Sequence, residues 1–177
     1  MQGRLKMNYQ VMKYFFPFVM VVLFFPIVSA HGEAENTQLL SNLQIFFISV
    51  SVSLVVFLII NSKFSNKISI FTPSIFSLAL LSGIVHILLG MNDRILLLGG
   101  LGMMAIIVSP VFIEMNNIRK KYARLSLMSL SLLMFIAYFI SNHDIHYVLE
   151  DYLGITAKIS EIGVIIGLIK LLKSDNS

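Results

Sequence analysis

The stretch from Ser141 to Asp151 carries several side chains of the types that bind metal ions. It reads SNHDIHYVLED and holds two of the four histidines and three of the nine acidic residues, with no lysine or arginine. His143 and His146 are three residues apart, and Glu150 follows four residues later, so all three share one face if the stretch forms a helical turn. Neutral imidazoles and carboxylates suit a borderline divalent ion such as Zn²⁺ or Cu²⁺. This predicts a metal site, with a solvated polar loop between two membrane spans as the alternative.

His31 is a second candidate ligand. Residues 1–30 have the pattern of a secretory signal peptide, in which basic residues precede an apolar segment and a small-residue cleavage site at Ala30. Cleavage there would make His31 the mature N-terminus, where its α-amine and imidazole together chelate Cu²⁺. It is similar in this respect to the N-terminal histidine of secreted copper proteins, a resemblance that covers one residue and the cleavage site. The alternative is that residues 1–30 form an uncleaved anchor helix.

His86 and Glu161 form a third candidate site, because ionisable side chains within apolar segments are costly and usually functional. His86 lies four residues before Gly90, and Glu161 lies seven residues after Gly154. At about 1.5 Å of rise per residue, both lie roughly 6–10 Å from the same membrane surface and meet if their segments are neighbours. Such a pair could relay a proton, or His86 could add a ligand to the metal site. In the alternative interpretation, Glu161 pairs with Lys158 while His86 hydrogen-bonds a serine or a carbonyl.

Small residues line the helical faces that would bring these two segments close to their neighbours. The earlier segment has Ala79, Gly83 and Gly90 on the face of its histidine, and the later one contains Gly163 and Gly167, four residues apart. Small side chains let helix backbones approach closely within a membrane. We therefore expect the histidine to face a neighbouring helix rather than lipid.

Apolar segments must position all of these residues, because the composition is that of a membrane protein. Of 177 residues, 57% are hydrophobic and 12% are charged, against roughly 25% charged in a soluble domain, and the mean hydropathy is +0.87. These values exclude a soluble globular protein. The absence of cysteine excludes disulfides, thiolate metal sites and iron–sulfur clusters. Basic residues occur in short runs beside apolar segments, which excludes a nucleic-acid-binding surface.

Five apolar segments of roughly membrane-spanning length follow the signal. We expect them at residues 39–60, 72–90, 94–112, 125–140 and 154–172. Thr72 and Pro73 mark the start of the second segment, as its N-cap and its first helical residue. The predicted fold class is an all-α integral membrane protein, with a cleaved signal peptide at 1–30 and a five-helix transmembrane bundle over 31–177.

The placement of basic residues predicts the orientation of the bundle. With the mature N-terminus outside, the inner segments hold eight of the thirteen lysines and arginines. The outer segments hold two, Arg94 and Lys158, and the signal holds the other three. Positive charge is usually in excess on the cytoplasmic side. We therefore expect a multi-pass protein of the cell membrane with an extracytoplasmic N-terminus and all four histidines in the outer half.

These observations favour a protein that binds or hands on a divalent metal at its outer face. Copper is favoured over zinc, and the expected ligands are His31, His143, His146, Glu150 and His86. Haem is not favoured, because bis-histidine ligation needs facing histidines on two spans and only His86 lies clearly within one. No catalytic motif is present, so the balance is against an enzyme.

Two other functions stay open from the sequence. One is a non-catalytic structural or accessory subunit that assembles with other membrane subunits in the lipid bilayer. The other, which is less favoured, is a component of a proton-coupled transporter that uses His86 and Glu161.

Overall fold

The computed structural model describes residues 40–64, 70–91, 93–141 and 151–174. Contacts divide the chain into two compact units, residues 1–41 and 42–177. All helices of the described residues belong to the second unit, and no strand occurs among these residues. The prediction of an all-helical fold is therefore confirmed for this part of the chain.

Five long helices cover the described residues, one over each segment predicted to span the membrane. They are α1 (Asn42–Ile59), which continues into a π-helical turn (Ile60–Phe64), α2 (Pro73–Leu89), α3 (Arg94–Phe112), α4 (Asn117–Ser141) and α5 (Tyr152–Ser174). Three helical stretches are long and apolar enough to cross a membrane: Asn42–Ser62, Arg94–Phe112 and Asn117–Ile140. At 17 residues, α2 is a shorter apolar helix.

Helix α4 begins eight residues before the start predicted at residue 125. Asn116 caps it, because its side-chain oxygen accepts a hydrogen bond of 2.8 Å from the backbone N–H of Arg119. The basic residues that follow lie between two predicted spans, but lysine and arginine are good helix formers and extend the helix beyond the apolar segment. Hydropathy alone does not detect such an extension.

Helix α2 lies at the centre of the unit. Thr72 caps its start by accepting a hydrogen bond of 3.3 Å from the N–H of Ile75, and Pro73 is its first residue. This helix packs against α1, α3 and α5, while α4 packs against α3 and α5. Helices α2 to α5 therefore form a closed ring of four, with α1 packed against α2. Ten of the 17 residues of α2 are buried as a result.

Glycine residues allow both α3 and α5 to pack closely against α2, but in two different ways. On the α3 side, a Cβ atom added at Gly100 would lie only 2.7 Å from the carbonyl oxygen of Gly83, so these two backbones touch. On the α5 side, a Cβ at Gly163 or Gly167 would lie 2.7 Å from a side-chain carbon of Leu78 or Ile75, respectively. Gly83 thus allows the close approach of α3, whereas Gly163 and Gly167 of α5 make room for larger side chains of α2.

Candidate functional site

The strongest candidate site is a buried polar cluster of Ser82, His86, Lys158 and Glu161, called the Glu161 cluster below. Ser82 and His86 are one turn apart on α2, and Lys158 and Glu161 are three residues apart on α5. The packing of α2 against α5 brings the two pairs together. None of the four residues is more than 5% exposed.

Glu161 is the centre of this cluster. Its Oε1 atom accepts hydrogen bonds from the Ser82 hydroxyl at 3.0 Å and from Lys158 Nζ at 2.9 Å, and its Oε2 atom accepts from Lys158 Nζ at 2.7 Å. The Nε2 atom of His86 lies 3.4 Å from Oε1. The contact between His86 and Glu161 therefore coexists with the Lys158 pair that the alternative interpretation expected.

The second ring nitrogen of His86 is held by its own helix. Nδ1 lies 2.7 Å from the carbonyl oxygen of Ser82 and 3.2 Å from the Ser82 hydroxyl. Because a carbonyl oxygen can only accept, the short contact requires a hydrogen on Nδ1. In a neutral ring Nε2 then carries the lone pair, and it is this nitrogen that faces the Glu161 carboxyl group.

Lys158 connects the cluster to α4. Its ammonium group donates to the backbone oxygen of Met134 at 2.9 Å as well as to both oxygens of Glu161. These bonds use all three of its hydrogens. Nζ also lies 5.3 Å from the ring centroid of Tyr138, within range for a cation–π contact.

A line of polar groups leads from Lys158 to the start of α5. The Tyr138 hydroxyl donates to Asp151 Oδ2 at 3.1 Å, and Asp151 Oδ1 accepts from the N–H of Gly154 at 2.8 Å, which caps α5. Both Tyr138 and Asp151 are only partly buried. The polar groups thus run from a partly exposed helix end to the fully buried Glu161.

The alternative interpretation expected a serine or a carbonyl beside His86, as found, but it did not name Ser82. Sequence reasoning did not find Tyr138 or the backbone oxygen of Met134. The position of Ser82, four residues before His86 on the same helical face, was an available signal. No such signal pointed to Tyr138 and Met134 of α4, because the sequence does not show which helices are neighbours.

The predicted metal ligands other than His86 lie outside the described residues. These are His31, His143, His146 and Glu150. Within the residues that the structure describes, no group of three or more histidine and acidic side chains could hold a metal ion. His86 contacts one carboxylate there, that of Glu161. The predicted copper or zinc site thus stays a prediction from the sequence.

No protein-family model, curated protein or solved structure matches this chain. The chemistry of the Glu161 cluster is therefore the basis on which a function is proposed below.

Proposed function

We propose that this chain is a five-span membrane protein whose Glu161 cluster binds and releases a proton as part of proton-coupled transport. The observation that carries the proposal is the contact of 3.4 Å between His86 Nε2 and Glu161 Oε1, combined with the bond from Nδ1 to the Ser82 carbonyl. With Nδ1 protonated, a neutral His86 and an ionised Glu161 would place two lone pairs against each other. One proton in this gap turns the repulsion into a hydrogen bond, whichever partner carries it.

The charges of the cluster support a site that changes state. Without the extra proton, the ammonium group of Lys158 and the carboxylate of Glu161 balance, so the cluster is neutral. With it, the cluster carries one positive charge, buried among apolar helices. Each form has a free-energy cost. Without the extra proton, two lone pairs face each other, and with it, an unbalanced positive charge is buried. Two forms with opposing costs are what a site that takes up and gives back a proton requires.

The placement of the cluster in the bundle also fits this function. Glu161 lies nine residues after the first residue of α5, about 13 Å along the helix axis. In the orientation that we propose, with a cleaved signal peptide and an extracytoplasmic N-terminus, the start of α5 is on the outer side. Asp151 and Tyr138 then connect the cluster with the outer surface, while Val164 and Leu168 on the inner side of α5 are fully buried and apolar.

Infrared difference spectroscopy of the protein in lipid nanodiscs tests the proposal. We expect the carboxyl band of Glu161 to change as the pH is lowered, and this change to be absent in Glu161→Gln and altered in His86→Gln. Glu114→Gln, which removes an exposed carboxyl group, is the matched control and should leave the band in place. Identical pH difference spectra for wild type and Glu161→Gln would overturn the proposal.

One observation favours a structural role for the cluster, as expected for the second candidate function, an accessory subunit in a larger membrane complex. All three ammonium hydrogens of Lys158 are used, and they join α4 to α5 through Met134 and Glu161. A buried ion pair of this kind can have a purely structural role, in which it fixes the packing of two helices. A cluster that stabilises the fold strongly but never changes its protonation would support this second function.

The metal function stays a separate proposal that rests on the sequence. Its test is metal analysis of the purified mature protein, combined with N-terminal sequencing of the same sample. Uptake of one Cu²⁺ or Zn²⁺ that is lost when His31, His143 and His146 are all changed to alanine would support it. Equal metal content in the two proteins would contradict it.

A further inference from the structure

Ser131 on α4 is a buried hydroxyl that the contacts described above do not use. It is 0% exposed, and its oxygen has no hydrogen-bond partner among the described residues. The Ser160 hydroxyl on α5, by contrast, donates to the carbonyl oxygen of Thr156 in the preceding turn at 2.8 Å. An unpaired buried hydroxyl costs about 1–3 kcal/mol, and a buried water molecule that bonds to it removes this cost.

The register of α4 against α5 indicates that Ser131 lies beside the Glu161 cluster. Lys158 Nζ lies 2.9 Å from the backbone oxygen of Met134 and 2.7 Å from Glu161 Oε2. The carboxyl group is therefore next to the turn of α4 that begins at Ser131, three residues before Met134. The helices run in opposite directions, so the step from Lys158 to Glu161 on α5 matches the step from Met134 back to Ser131 on α4.

The pattern of buried residues on α4 independently indicates that Ser131 faces the inside of the bundle. Its buried side chains are spaced by three and four residues, as expected for one inward-facing stripe: Arg124, Leu127, Ser131 and Met134. Ser131 is the only uncharged polar side chain among these four. The hydroxyl therefore lies on the face that packs inside the ring of four helices.

We propose that Ser131 and Glu161 hold a water molecule between α4 and α5. This site does not rest on the function proposed above, although the water would hydrate the carboxyl group to which that function assigns a proton. The water would satisfy the Ser131 hydroxyl and one further lone pair of the carboxyl group.

The groups that face this water determine its chemistry. From α5 they are Glu161 and Lys158, from α2 they are His86 and Ser82, and from α4 they are Ser131 and the Met134 carbonyl. Water is small enough to share hydrogen bonds with a hydroxyl and a carboxyl group, and a typical buried water makes about three such bonds. A larger ligand has no comparable set of free partners among these groups.

Water-edited solid-state NMR of the protein in lipid tests the bound water directly. We expect magnetisation to pass from water to Glu161 Cδ, and Ser131→Ala to reduce this transfer. Ser131→Thr keeps the hydroxyl and should keep the transfer. Ser49→Ala is the matched control, because Ser49 is equally buried and also lacks a hydrogen-bond partner among the described residues, but belongs to α1.

An unchanged transfer in Ser131→Ala, or an equal loss in Ser131→Thr, would overturn the bound water. If Ser131→Ala does not fold, the same transfer experiment on the wild-type protein tests the proposal. Transfer to Ser131 Cβ must then exceed transfer to the buried apolar Val164, and equal transfer would contradict the proposal. This experiment does not depend on titration, so it is independent of the infrared test of the proposed function. If the NMR shows a bound water but the carboxyl band does not change with pH, the proposed function fails and this inference stands.

Discussion

At the scale of single residues, the function proposed here depends on which partner each buried charge keeps. Glu161 and Lys158 satisfy each other, while His86 is held at Nδ1 by the Ser82 carbonyl and has Nε2 3.4 Å from Glu161. Removing one member of a buried ion pair is expensive because the other charge stays behind without a partner. Removing both members together is much cheaper, so single and double substitutions should behave very differently.

We expect Glu161→Gln to lower the free energy of unfolding by about 3–5 kcal/mol, because it leaves the Lys158 ammonium group buried without a carboxylate. Lys158→Met should cost a similar amount, and the double variant should cost clearly less than the sum. Thermal unfolding in detergent measures these differences. Exposed Glu114→Gln should have little effect. Strictly additive losses would contradict the ion pair.

His86 and Glu161 should be coupled in the same way, though less strongly. We expect His86→Leu to destabilise the protein, and its combination with Glu161→Gln to cost less than the two single changes together. Lys158 already satisfies much of the carboxyl group, so the coupling should be smaller than that between Glu161 and Lys158. A double-mutant cycle on unfolding temperatures is the measurement, and a coupling of zero would mean that the 3.4 Å contact contributes nothing.

At the scale of helices, the crossing of α2 and α3 depends on two glycines. A Cβ at Gly100 would lie 2.7 Å from the Gly83 oxygen and 2.8 Å from the backbone nitrogen of Ile87, and neither of these atoms can move alone. We therefore expect Gly100→Ala to destabilise the bundle by about 1–3 kcal/mol. Gly102→Ala is the matched control, because its Cβ meets only a side-chain carbon of Leu130 at 3.0 Å. Equal losses in the two variants would contradict the close crossing.

The helices also show which parts of the site a sequence can reveal. The depth of His86 and Glu161 follows from their distance to the ends of apolar segments, since the helical rise per residue is constant. The roles of Tyr138, Met134 and Ser131 depend on α4 packing against α5 in one particular register. That register is set by side-chain contacts between segments far apart in the chain. The early start of α4 was missed for a different reason, because its first turns are basic rather than apolar.

At the scale of the whole molecule, the proposed orientation makes a direct prediction about membrane topology. A reporter fused after Ser177 should be cytoplasmic, and one inserted between Ser141 and Asp151 should be extracytoplasmic, because α5 alone separates the two positions. The asymmetry of basic residues is the reason for this expectation. Accessibility of each reporter to a membrane-impermeant reagent measures the outcome. Finding both on the same side would rule out a membrane-spanning α5.

The proton that we propose between His86 Nε2 and Glu161 Oε1 can be tested most directly by ¹⁵N NMR of labelled histidine in lipid. His86→Gln identifies the signals of this ring among those of the four histidines. We expect Nδ1 to carry a hydrogen at every pH at which the protein is folded, while Nε2 changes with pH. In Glu161→Gln, the change at Nε2 should shift or disappear. An Nδ1 without hydrogen, or an Nε2 signal that is independent of pH and of Glu161, would contradict a proton shared by His86 and Glu161.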